Sequence, residues 1–344
     1  MTCRIFGAVG ALAVAAGLGG QTPRAPQQSS AAKPRAASSK EWKVSRTADG
    51  HPDLQGIWTN ATLTRMERPP ELAGKATLTE AEARAVEQRD LDAGKEPENG
   101  KPLVLGNIVF SGANDGYNAL FIDRGTRLAR VDGVARTSLI VDPPDGKVPP
   151  LTEEARQRNA AARQRGFDRY DSVKDRPITE RCIVGFGSTA GPPMVPALYN
   201  STYQIIQTKD TVMILVEMIH DVRVVRMNGT HKPASIRQLL GDSIGHWEGD
   251  TLVVDTTNFT NETRFRGSSE NLHVIERFQR VDANNILYRV TIDDPTTFTK
   301  QWTMEYPFVA TEGPIYEYAC HEGNYAMTDI LGGARKQEAE TEKK

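Results

Sequence analysis

Cysteine is scarce in this chain: three residues in 344, one of which, Cys3, stands ahead of the first apolar run. The folded part therefore has Cys182 and Cys320 alone. No Cys-x-x-Cys pair, His-Glu-x-x-His helix or Gly-x-Ser-x-Gly elbow is present, so the familiar redox, zincin and serine-hydrolase signatures are missing. A dominant charge is missing too. Lys plus Arg number 42 against 44 Asp plus Glu, which gives no broad field for polyphosphate, and nucleic acid is not an expected partner. The longest apolar run, Ile5 to about Leu18, is too short to span a bilayer, so stable membrane insertion is not expected either.

That run follows a single charge, Arg4, and ends at Gly19 and Gly20, the order of a secretory signal. Residues 1–20 are read as the signal and residues 21–41, rich in Pro, Ser, Ala and Gln, as a solvated linker. The expected location is periplasmic or secreted. In that setting Cys182 and Cys320 are expected to form a disulfide, closing a loop long enough to contribute about 4–5 kcal/mol in the chain-entropy model.

Two segments carry helix signals. Thr79 with Glu82 forms a capping box before a stop at Gly94, and Thr152 opens a second helix that stops at Gly166. Neither has a wide apolar stripe, so both are expected on the surface of an irregular wrapping segment, residues 42–198. From Tyr199 the texture changes to β-branched and aromatic runs between turn residues. Expected strands are Thr202 to Thr208, Val212 to Met227, Thr251 to Thr257, Leu272 to Arg280, Ile286 to Asp293, Gln301 to Phe308 and Ile315 to His321. Short turns between them make an antiparallel meander, and so many strands usually close to hide their edges. The expected fold is mainly β: a barrel or strongly curved sheet over residues 199–335, then a charged tail, 336–344.

Splitting each strand into its two faces exposes polar residues that interrupt apolar ones. His220 interrupts Val212, Ile214, Val216, Met218, Val222 and Val224. Glu276 interrupts Leu272, Val274 and Phe278, and Tyr288 brings a phenol among Ile286, Val290 and Ile292. If these faces line one interior, His220, Glu276 and Tyr288 are candidate acid–base residues, with a satisfied buried pair as the alternative. Glu217, Asp221 and Arg223 fall on the opposite face as an outward charge row. Arg181, His321, Tyr318 and Trp302 are the expected ligand contacts. No metal and no cofactor is expected: GFGSTAGPP lacks the Lys-Ser/Thr of a phosphate loop, and Glu217 and His220, three apart on a strand, face opposite ways.

The units GIW (Gly56 to Trp58) and GHW (Gly245 to Trp247) resemble the Gly-x-Trp of lipocalin-like and fatty-acid-binding barrels, where the indole plugs one barrel end. The whole chain also resembles a widespread group of exported bacterial proteins through RTSLIVDPPDGKVPPLT, ERCIVG, GHWEGDTLVVDTTNF, LHVIERF and YEYACHEGNY. That resemblance implies the compartment and no chemistry. The expected function is binding of a small, mostly apolar or aromatic molecule, with cofactor-independent acid–base chemistry of a lyase, isomerase or hydrolase kind. A non-catalytic carrier and an envelope structural protein are the alternatives.

Overall fold

A computed structural model describes residues 42–93, 103–105, 108–110, 123–164, 169–185, 191–262 and 265–343. The expected signal and linker lie outside these residues. In chain order the elements are β1 (Gly56–Thr59), β2 (Thr77–Leu78), α1 (Glu80–Ala93), β3 (Leu103–Leu105), β4 (Ile108–Phe110), β5 (Arg130–Val131), β6 (Val134–Arg136), β7 (Ile140–Asp142) and α2 (Glu153–Gln164). Then come β8 (Thr202–Gln207), β9 (Thr211–Val216), β10 (Val222–Met227), β11 (Asp242–Glu248), β12 (Thr251–Thr257), β13 (His273–Arg280), β14 (Asn285–Asp293), β15 (Trp302–Ala310) and α3 (Ala326–Thr341).

Strands β8 to β15 lie side by side in sequence order, and β1 bridges β8 to β15, closing a nine-stranded barrel. The register is Trp58 opposite Tyr203 on one side and Ala310 on the other. GIW is thus a barrel strand, and the barrel draws on both halves of the chain. Trp58 is buried with its indole donating to the Leu54 carbonyl at 3.0 Å. The Arg280 guanidinium lies 5.3 Å from the ring, a cation–π contact. The period-2 pattern decides what faces inward: Val274, Glu276 and Phe278 from β13, and Ile286, Tyr288, Val290 and Ile292 from β14, are all buried.

Three strand expectations need correction. The run Val212 to Met227 is two strands, because the chain reverses at 217–221 with Ile219 and His220 both left-handed, φ 61° and 48°. Val216 and Asp221 close that reversal, and β10 pairs back on β9 with Arg223 opposite Ile214. Even-numbered residues face inward on β9 and odd-numbered ones on β10, so Arg223 and Val225 are buried while Val222 and Val224 face out. Second, β11 was not expected, and it pairs parallel to β10. A parallel step requires a crossover, which residues 228–241 provide. Third, Ile315 to His321 is irregular. The edge of β15 it would need is already shared by β1 and β7.

The wrapping segment carries both expected caps. The Thr79 amide donates to Glu82 at 2.9 Å and the Glu82 amide returns to the Thr79 hydroxyl at 3.3 Å. The Ala155 amide donates to the Thr152 hydroxyl at 3.1 Å. Helix α1 covers a small second core of Leu63, Leu78, Ala83, Leu128 and Ala135. Cys182 and Cys320 form the expected disulfide, with Cα atoms 5.9 Å apart. Among the described residues no helix is long and apolar enough to cross a membrane.

Candidate functional site

The barrel interior holds two of the three expected acid–base residues, Glu276 and Tyr288, together with Arg223, which was expected on the outer face. Arg223 Nη1 donates to Glu276 Oε1 at 3.0 Å, and the Tyr288 hydroxyl donates to the same oxygen at 2.8 Å. The Tyr288 oxygen in turn accepts from the Met194 amide at 3.1 Å. The Met194 carbonyl accepts from the Tyr306 hydroxyl at 2.7 Å and from the Asn60 amide at 2.8 Å. Burial alone would lower the Arg223 pKa, but the Glu276 charge and hydrogen bonds outweigh it and raise it. Burial pushes the Tyr288 phenol well above its ordinary value, and the Glu276 charge adds to that. The guanidinium and the phenol are therefore fixed in their charged and neutral forms.

Side chains fill this interior. Tyr288 packs against Phe278, Tyr306 and Phe308 with ring centres 4.9–5.2 Å apart. The segment Gly191 to Met194 is buried among them. Gly191 has φ +82°, and a Cβ there would meet Met194 Cγ at 2.8 Å, so the close approach requires glycine. Arginine and a peptide unit, rather than a histidine and a ligand, accompany Glu276 and Tyr288.

His220 is exposed at the strained reversal, so the expectation that it faces Glu276 does not hold. Its neighbour Glu217, expected outside, is buried and accepts the Tyr316 amide at 3.2 Å. Asp221 is half-buried with one carboxylate oxygen lacking a partner among the described residues. Burial pushes its pKa up to about 6, against the lowering effect of the His220 charge. Of the expected ligand contacts, Trp302 is fully buried between Phe265 and Phe298, ring centres 5.8 and 5.6 Å away. Tyr318 packs partly against the main core, Arg181 is half-buried beside Cys182, and His321 is exposed beyond Cys320.

On the outer wall the crossover is latched by imidazoles. His231 meets Asp242 at 3.2 Å through Nδ1 and Asp255 at 2.9 Å through Nε2, and His273 meets the other Asp255 oxygen at 2.9 Å. Arg226 also pairs with Asp242. Among the described residues no group of three or more His, Cys, Asp or Glu is arranged to hold a metal.

A surface cavity lies beside the barrel. A cleft of about 540 Å³ is lined by Thr62 to Met66 from the chain after β1, by Leu139 just before β7, and by Val195 to Leu198 from the segment that follows the buried Met194. Glu71, Arg89, Asp90 and Arg124 complete the lining. Stretches far apart in sequence build it, so no local motif announces it; its arginines, Arg65, Arg89 and Arg124, were not among the expected ligand contacts. The barrel class is plain from this geometry, but no protein-family model, curated protein or solved structure matches the chain.

Proposed function

We propose that this is an exported binding protein for a small, largely apolar organic molecule, held in the lateral cleft rather than inside the barrel. The cleft itself supports the reading most strongly. Its volume of about 540 Å³ falls in the range of small-molecule sites, and it combines Leu63, Met66, Leu139, Val195 and Leu198 with a few charged groups, the usual composition of such sites. The filled interior argues against a ligand within the strands. The N-terminal signal-like order and the Cys182–Cys320 disulfide support the exported setting. Native mass spectrometry of the purified wild type against its denatured mass is the test. A retained small molecule, lost in Ala197→Phe, supports the reading; retention unaffected by a ring filling the cleft contradicts it.

A second reading, acid–base catalysis, is favoured by Asp221. A half-buried carboxylate with a pKa of about 6 beside His220 has the proton affinity expected of a general acid or base. In this reading Glu276 and Tyr288 position the scaffold, because their polar atoms are already committed to Arg223 and Met194. Conversion of the retained molecule by the wild type and its absence in Asp221→Asn would separate enzyme from carrier.

A further inference from the structure

The cleft is lined by three arginines against two acids, Glu71 and Asp90. Asp90 serves two of the cations: it sits 2.9 Å from Arg89, and its carbonyl accepts from Arg124 Nη2 at 3.1 Å. That carbonyl contact is the sole side-chain hydrogen bond of Arg124 among the described residues, although a guanidinium offers five N–H donors in a planar fork. The Arg124 side chain is half-buried, and that burial pushes its pKa down despite the Asp90 charge. Arg65 uses its backbone carbonyl to accept the Leu139 amide, while its side chain makes no hydrogen bond or ion pair among the described residues. Apolar side chains, Met66, Leu139, Val195 and Leu198, line the same space.

A half-buried guanidinium with spare parallel donors is well matched by a planar, bidentate acceptor. We propose that the cleft takes a carboxylate-bearing amphiphile, its carboxylate on Arg124 and Arg65 and its hydrocarbon body against Met66, Leu139, Val195 and Leu198. This rests on the reading of the cleft as the ligand site and adds the chemical class of the ligand. It also distinguishes the protein from a carrier of neutral lipids: without the carboxylate, the apolar wall remains but the Arg124 fork stays unsatisfied.

The test is calorimetric titration of the full chain with octanoate and 1-octanol, which share a hydrocarbon body and differ in charge. The expected result is octanoate binding about tenfold or more tightly, the difference shrinking with added KCl and vanishing in Arg124→Gln, which keeps its octanol affinity. The salt response of the wild type needs no variant, so a misfolded substitution does not spoil the test. Equal affinity for the two probes, both lost in Ala197→Phe, overturns the carboxylate proposal and leaves the cleft as a binding site. Binding of neither probe, or binding that Ala197→Phe leaves intact, overturns both.

Discussion

Arg223 and Glu276 stand 53 residues apart in the chain and meet inside the barrel, with Arg223 Nη1 3.0 Å from Glu276 Oε1 and side chains 1% and 0% exposed. The pair does more than neutralise itself. Glu276 holds the Tyr288 hydroxyl, Tyr288 holds the Met194 amide, and the residues after Met194, Val195 to Leu198, form one wall of the cleft. The buried network thus backs one wall of the cleft.

Removing one partner of that pair leaves an uncompensated charge in a dry interior. Arg223→Met is expected to cost about 3–5 kcal/mol of stability, measured by urea unfolding. The double variant Arg223→Met/Glu276→Met is expected to recover much of the loss. Two single losses that simply add in the double variant would contradict direct coupling.

Tyr288→Phe keeps the ring and deletes the acceptor for the Met194 amide. The expected cost is about 1–3 kcal/mol. Hydrogen exchange supplies the more specific readout: the Met194 amide is expected to exchange faster while amides in β12 keep their protection. Unchanged exchange at Met194 would show that the phenol does not hold the Gly191 to Met194 segment.

The outer-wall latch predicts a pH-dependent stability. The hydrogen bond to Asp255 raises the His273 pKa, with burial opposing and the Asp255 and Asp293 charges assisting. A histidine whose folded pKa is raised adds stability that is full below about pH 6.5 and lost as pH rises through the folded value. His273→Gln is therefore expected to destabilise by about 0.5–1 kcal/mol at pH 5.5 and by much less at pH 9, after allowance for its partial exposure. A pH-independent difference in urea midpoint would rule out the charged pair.

Asp221 has a linkage of the same sign but a different cause, burial of a charge rather than a charged pair. Its folded pKa of about 6 lies above its ordinary value of 3.8, so between those values the folded chain holds a proton the unfolded chain has released. Stability falls as pH rises through that window. Asp221→Asn is expected to gain about 1–2 kcal/mol relative to wild type above pH 6, discounted for solvent screening, and nothing below about pH 4. No gain at pH 7 would mean that the carboxylate is paired in solution.

Strands with antiparallel partners and runs rich in β-branched and aromatic residues were legible in the sequence: β8, β12, β13, β14 and β15 lie within two residues of expectation. Where they failed, the cause is local. DSIGHWE, the sequence of β11, has one β-branched residue and a glycine, and its stability comes from pairing on both sides. The reversal at Ile219 and His220 contains no glycine, proline or asparagine, so nothing announced the turn that moves Arg223 inside and His220 out. Glu276 and Tyr288 were legible as polar residues on apolar faces. Their partners were not, because Arg223 depended on that turn and Met194 contributes through its backbone. The cleft depends on segments far apart in sequence and was not visible in any of them.

The cleft, and not the strand interior, is the proposed ligand site. Photolabelling with diazirine-bearing octanoate and octanol analogues, followed by peptide mapping, tests it directly, since either probe reports the place and only their ratio reports the charge. Labels are expected on the Thr62 to Met66 and Val195 to Leu198 stretches, suppressed by Ala197→Phe. Labels concentrated on the inward residues of β13 and β14, or on neither stretch, would contradict it.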